Sequence, residues 1–218
     1  MSGDLFILNW QRVANHSFKV LYSDIGGVLG TNGWDSGIRN NVCVKFNVAP
    51  DEIDKRHKFM FDSFERGYMT FEDYLRQVFF TVERPFSLEA LRDYSFTASI
   101  PWPQNIDLFH RVKKLNGLKF GLISNEGQGI TQYRMDAFGL RDVADFIVVS
   151  HFVHMRKPDR QIWQLALDLA QATPDQCIYV DDRKIFVDVA ASLGFTAFQH
   201  IDLESTQKNF ERLGLATN

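Results

Sequence analysis

A chain of 218 residues with 45% hydrophobic and 23% charged side chains has room for one packed α/β core, alone or carrying a small insertion, and is neither disordered nor fibrous. Its formal net charge of -3, with no Lys/Arg block, leaves no electrostatic footprint for nucleic acid or an anionic membrane. Only Cys43 and Cys177 occur, which excludes a disulfide scaffold and points to a reducing compartment, the cytoplasm; the apolar run Leu5 to Leu8 is too short for a signal-peptide core or a membrane span.

In chain order, the β-branched and aromatic run from Phe18 to Asp24, followed by Gly26-Gly27, predicts a buried strand and a turn. From Gly30 to Pro101 the signals are purely helical. One helix starts near Pro50, carries Ile53, Met60 and Phe64, and stops at Gly67. A second opens with Thr70 as N-cap and Asp73 three residues on, with Phe71, Tyr74, Leu75, Val78 and Phe79 as its apolar face. The 20 Phe residues read as filler for such faces. From Gln104 to Asn116 a helix capped by Gly117 leads into a strand at Leu118 to Ser124. Further strands follow at Asp145 to Ser150, Gln176 to Asp182 and, less strongly marked, Phe195 to Ile201, with helices over Asp159 to Ala170 and Lys184 to Leu193.

This alternation predicts an α/β fold: a Rossmann-like, mostly parallel sheet with helices on both faces and a small inserted all-helical cap. The expected division is a core of residues 1–29 and 102–218 with a cap of residues 30–101.

Open parallel sheets bind ligands beyond the carboxyl ends of their strands. Asp24, Ser124-Asn125 and Asp181-Asp182 all stand at such ends, and Arg156-Lys157-Pro158 follows the third strand. Three carboxylates gathered at one edge repel one another unless a hard dication such as Mg²⁺ neutralises them, and Mg²⁺ prefers oxygen ligands shared with a phosphate. An Asp attacking phosphorus splits one hard displacement into two easier ones, while a Lys and a Ser hydroxyl balance and orient the phosphoryl oxygens.

The four segments Ser23-Asp24-Ile25-Gly26-Gly27-Val28-Leu29, Leu122-Ile123-Ser124-Asn125, Arg156-Lys157-Pro158-Asp159 and Tyr179-Val180-Asp181-Asp182 resemble, in order and spacing, the motifs of the haloacid dehalogenase superfamily. The helical insertion after the first motif is similar to that of its phosphatases with a helical cap. The resemblance implies a hydrolase with Asp24 as nucleophile, Lys157 as a second catalytic group, phosphate held by Ser124, Asn125 and Lys157, and Mg²⁺ bound by Asp24, Gly26, Asp181 and Asp182. The implied partner is a small phosphorylated metabolite, a sugar phosphate as first choice, handled by a monomer or homodimer.

One departure matters. Where these phosphatases carry a second Asp two residues after the nucleophile, which gives and takes the leaving-group proton, this chain has Gly26, whose backbone carbonyl still serves a metal. General acid-base help is worth about 10²- to 10⁴-fold, so its loss leaves a catalytically feeble phosphate-ligand binder as an alternative. Asp35, in the turn at the cap hinge, and Glu126, just after the Ser124 motif, are the conceivable replacements. A 2-haloacid dehalogenase is a third reading, opposed by the adjacent acids Asp181-Asp182. His151 and His154 lack a third ligand for zinc, and Trp34 reads equally as pocket wall or cap packing.

Overall fold

The structure, a computed structural model, describes residues 18–218. The Leu5 to Leu8 run and the first seventeen residues of the expected core lie outside them. β1 (Val20–Ser23) is buried on both faces and pairs in parallel with β2 (Lys119–Ser124) on one side and β4 (Cys177–Asp181) on the other. β3 (Phe146–Val149) flanks β2 and β5 (Thr196–Gln199) flanks β4, giving the all-parallel order β3-β2-β1-β4-β5. The order reverses between β1 and β4, and the connections there leave toward opposite faces of the sheet, opening a crevice at the strand ends.

Alternate strand residues feed two apolar layers, as a period of two requires. Leu21, Phe120, Leu122, Ile178 and Val180 face one layer; Val20, Tyr22, Ile123, Cys177 and Tyr179 face the other. Helices over Pro103–Asn116 and Leu203–Arg212 cover the first, and helices over Arg160–Ala170 and Lys184–Ser192 cover the second. The first of these stops where expected, at Gly117, whose positive φ of 63° an L side chain would resist. No helix among the described residues is long and apolar enough to cross a membrane.

Between β1 and the Pro103–Asn116 helix lie four helices: α1 (Ser36–Lys45), α2 (Pro50–Glu65), α3 (Phe71–Phe79) and α4 (Leu88–Thr97). They share a third apolar cluster of their own, built around Val42, Ile53, Phe64, Tyr74 and Leu91. The α3 start is as predicted: the Asp73 N–H donates to the Thr70 hydroxyl (3.0 Å) and the five named apolar residues are buried. The chain leaves for this helical segment and returns from it side by side. Thr31 N–H donates to the Ile100 carbonyl and Trp102 N–H to that of Leu29, both at 2.9 Å.

The strands are each a residue or more shorter than expected, and two of the differences bear on the site. The strand read as Phe18 to Asp24 is shorter, so Asp24 lies just past its end, on the loop. The strand read as reaching Ser150 stops at Val149; Ser150 opens a helical turn, Ser150–Val153, and its hydroxyl accepts the Glu126 N–H at 3.0 Å.

Candidate active site

The register that pairs Ser23 with both Leu122 and Val180 puts Asp24, Ser124 and Asp181 on one edge of the sheet at the switch point. Asp24 is 6% exposed; its Oδ1 accepts the Ile25 N–H at 2.8 Å and its Oδ2 lies 3.1 Å from Lys157 Nζ. Burial, assisted by Asp181, holds the Asp24 pKa above the ordinary carboxylate range, although Lys157 and Ser124 oppose that shift.

Lys157 is fully buried between the two acids, with Nζ 2.6 Å from Asp181 Oδ2. Burial alone would lower its pKa, but Asp181 and Asp24 outweigh burial and raise it, so it stays charged. What delivers this side chain is Asn125. Its Oδ1 accepts the Lys157 N–H and its Nδ2 donates to the Lys157 carbonyl, both at 2.8 Å, so the carboxamide read from the sequence as a phosphate contact is joined at both ends to the Lys157 backbone.

The two adjacent acids are treated differently. Asp181 Oδ2 accepts from Lys157 and from the Tyr179 hydroxyl, and its Oδ1 accepts the Arg183 N–H at 2.8 Å, so both oxygens are engaged. Asp182 Oδ1 is buried without any hydrogen-bond partner among the described residues, and the other oxygen packs against Gly27, where an added Cβ would sit 2.3 Å from it. Burial, then Asp24 and Asp181, push the Asp182 pKa up to about 6. One carboxylate oxygen from each of Asp24, Asp181 and Asp182 lies within 4.8 Å of the others. With only Lys157 inside the cluster, three carboxylates carry more negative charge than the site balances, and a hard divalent cation with oxygen ligands suits both the deficit and the orphaned Oδ1.

Gly26 stands beside Asn32, whose Oδ1 would be 2.8 Å from a Cβ at position 26. Neither carboxylate offered as a replacement acid is free. Asp35 is the N-cap of α1 and accepts the Ile38 N–H at 2.9 Å. Glu126 is buried in an ion pair with Arg134, takes a second hydrogen bond from the Thr131 hydroxyl, and has its pKa raised by burial and by Asp24 against the pull of Arg134. The two histidines go separate ways: His151 Nδ1 donates to the Glu126 carbonyl and His154 Nδ1 to that of Arg66.

A narrow cleft runs from Asn125 and Glu126 to the helical segment, where Trp34, His57, Phe61 and Glu65 border it. Trp34 is thus both wall and packing, because its Nε1–H donates to the Tyr74 hydroxyl at 2.9 Å and its ring meets Phe71 edge-on. His57, Phe61 and Glu65 escaped the sequence reading, though their spacing of four and four on α2 marks one helix face.

Comparison with known proteins agrees with this architecture. Over 192 residues, 83% of this chain and 91% of the relative, the sequence is 21% identical to D-ribitol-5-phosphate phosphatase of Bacteroides thetaiotaomicron. It is 33% identical to a pyrimidine 5'-nucleotidase of Escherichia coli over 76 residues, which spans only 32% of that protein. A magnesium complex of a haloacid dehalogenase family enzyme from Bacteroides thetaiotaomicron superposes with a TM-score of 0.72 at 19% identity, covering 84% of this chain and 93% of the other. An L-2-haloacid dehalogenase superposes with a TM-score of 0.60 at 17% identity, covering 83% and 82%. The sequence profile of the haloacid dehalogenase-like hydrolases matches residues 40–197, most of the chain, and the protein belongs to that family of hydrolases.

Proposed function

We propose that the chain is a magnesium-dependent phosphatase acting on a small phosphomonoester in the cytoplasm, with residues 30–101 as a helical cap over the 102–218 core and the strand that precedes it. The observation that carries this reading is the unpartnered, buried Asp182 Oδ1 beside Asp24, in a cluster where Lys157 already neutralises Asp181. Asp24, Asp182 and the Gly26 carbonyl would hold Mg²⁺, with Asp181 engaged mainly in fixing Lys157. Bound there, the ion supplies charge balance for the phosphoryl oxygens.

Asp24 contributes the attacking oxygen. Its bond to phosphorus forms as the ester oxygen departs with the leaving group and takes a proton from solvent water, giving an aspartyl-phosphate; a second water then attacks phosphorus, gives its proton back to solvent and releases phosphate and the free carboxylate. Lys157 and the Ser124 hydroxyl orient and balance the phosphoryl oxygens, and Asn125 fixes Lys157 by its backbone. The dehalogenase reading finds no use for an orphaned second acid, since attack on carbon releases a halide without a dication.

The metal assignment is tested by thermal denaturation. Metal ligands bind deprotonated, so the rise in Tm given by millimolar Mg²⁺ should be small at pH 5, grow as pH passes about 6, where Asp182 ionises, and vanish in Asp182→Asn. An equal rise in that variant would remove Asp182 from the site.

Gly26 motivates the feeble-binder alternative, and the structure shapes its test. Gly26→Asp asks only that the end of the Asn32 side chain shift, so the variant should fold much as the parent does. A gain in phosphate release with Mg²⁺ over an inert parent would favour the feeble-binder reading; an active parent excludes it.

A further inference from the structure

The cleft between the strand ends and α2 contains one hydrogen-bond relay that the phosphoryl chemistry does not use. Trp34 Nε1–H donates to the Tyr74 hydroxyl at 2.9 Å, and that hydroxyl lies 2.7 Å from His57 Nδ1. An indole N–H can only donate, so the Tyr74 oxygen accepts there. The hydroxyl proton has no other acceptor among the described residues, and a buried donor must be satisfied, so it goes to His57 Nδ1. His57 therefore carries its own proton on Nε2. That nitrogen has no partner among the described residues and is not fully buried, so its N–H is open to an acceptor from outside the fold, on a residue that borders the cleft.

The ring is neutral at physiological pH, because burial, and secondarily Arg39, pull its pKa down to about 4. Two turns further along α2, Glu65 borders the same cleft. Its Oε2 accepts from the Arg156 guanidinium at 2.9 Å, and its Oε1 takes no donor among the described residues. A neutral N–H donor and, about 12 Å further along the same helix, a carboxylate acceptor suit separate hydroxyl groups of one polyol, since each hydroxyl both accepts and donates. The aromatic faces nearby are engaged by the protein itself: Phe61 by the Arg156 guanidinium at 4.9 Å, and Phe64 by stacking on Tyr74 at 4.6 Å.

We infer that His57 is a specificity-determining residue whose Nε2–H, fixed by the Tyr74 and Trp34 relay, donates to a hydroxyl oxygen of the leaving group, with Glu65 as the accompanying acceptor. The substrate class is then the phosphate ester of a polyol or sugar. This inference rests on the phosphatase reading above.

The test compares parent, His57→Leu and His57→Gln with Mg²⁺ on a panel of polyol and sugar phosphates, on nucleoside monophosphates and on p-nitrophenyl phosphate, whose leaving group has no second hydroxyl. His57→Leu should lower kcat/KM about tenfold on the preferred hydroxylated ester, the worth of one neutral hydrogen bond, and leave p-nitrophenyl phosphate within about twofold. His57→Gln, which keeps an N–H, should recover part of the loss. Independently of any variant, long-range ¹⁵N–¹H spectra of the parent at pH 7 should show the His57 proton on Nε2. An Nδ1–H tautomer, equal losses on both substrate types, no loss on either, or a preference for nucleoside monophosphates overturns the inference. A parent that cleaves p-nitrophenyl phosphate but no hydroxylated ester overturns it while the phosphatase reading stands; a parent that cleaves none of the esters removes both.

Discussion

Asp24→Asn should lower phosphate release by about 10⁴-fold or more while leaving the fold intact. The amide keeps the shape of the carboxylate and an oxygen for the Ile25 N–H, and Lys157 retains Asp181 as its partner. Burial disfavours the Asp24 anion, as its raised pKa records, so an uncharged isostere removes a cost that the parent carries. The expected melting temperature in the absence of metal is accordingly equal to the parent's or above it, a trade of stability for activity found at many active sites. The measurement is phosphate release from p-nitrophenyl phosphate with Mg²⁺, alongside a melting curve. A variant within tenfold of the parent would exclude Asp24 as the nucleophile.

The largest effect on stability is expected at Arg134. Its guanidinium is fully buried, pairs with Glu126, donates to the Thr31 carbonyl at 2.5 Å and lies 4.9 Å over the Phe138 ring. Arg134→Leu strands the buried Glu126 carboxylate, which costs about 3 to 5 kcal/mol when one partner of such a pair is removed. In a chain of this size that is a fall in Tm of roughly 6 to 20 °C. The pH dependence follows from linkage. Without Arg134 the folded-state pKa of Glu126 rises further above its unfolded value, so the folded state holds a proton that the unfolded state releases. The penalty is therefore full near pH 8 and shrinks as pH falls through that raised pKa. Arg134→Leu combined with Glu126→Gln should regain most of the loss, because no unpaired charge remains. A single variant as stable as the parent at pH 8 would show that the pair contributes nothing.

The strand ends were legible because short β-branched runs that stop at polar residues carry two signals at once, burial and a turn. Asp24, Ser124, Lys157, Asp181 and Asp182 converge where that reading put them. The division of labour between the two neighbouring acids was not legible. Asp181 and Asp182 are alike in sequence, and what separates them is the Lys157 ammonium and Tyr179 hydroxyl reaching one and nothing reaching the inner oxygen of the other. Asn125 was likewise opaque, since its two bonds run to a loop 32 residues away. Helices α1 and α4 were not read from the sequence: Asp35 and Ser87 cap their starts, but their faces bury only a few side chains, so helical periodicity is faint there. The relay from Trp34 through Tyr74 to His57 joins three residues of different elements, and no local pattern announces it.

The side-by-side exit and return at Leu29–Thr31 and Ile100–Trp102 has a consequence for rearrangement of the gene. Because the two ends are already neighbours, residues 32–99 can be excised and replaced by a linker of two or three residues without moving any strand of the sheet. Recombination at that seam would exchange the four helices as one unit while Asp24, Ser124, Lys157, Asp181 and Asp182, all outside it, keep their places on the sheet edge.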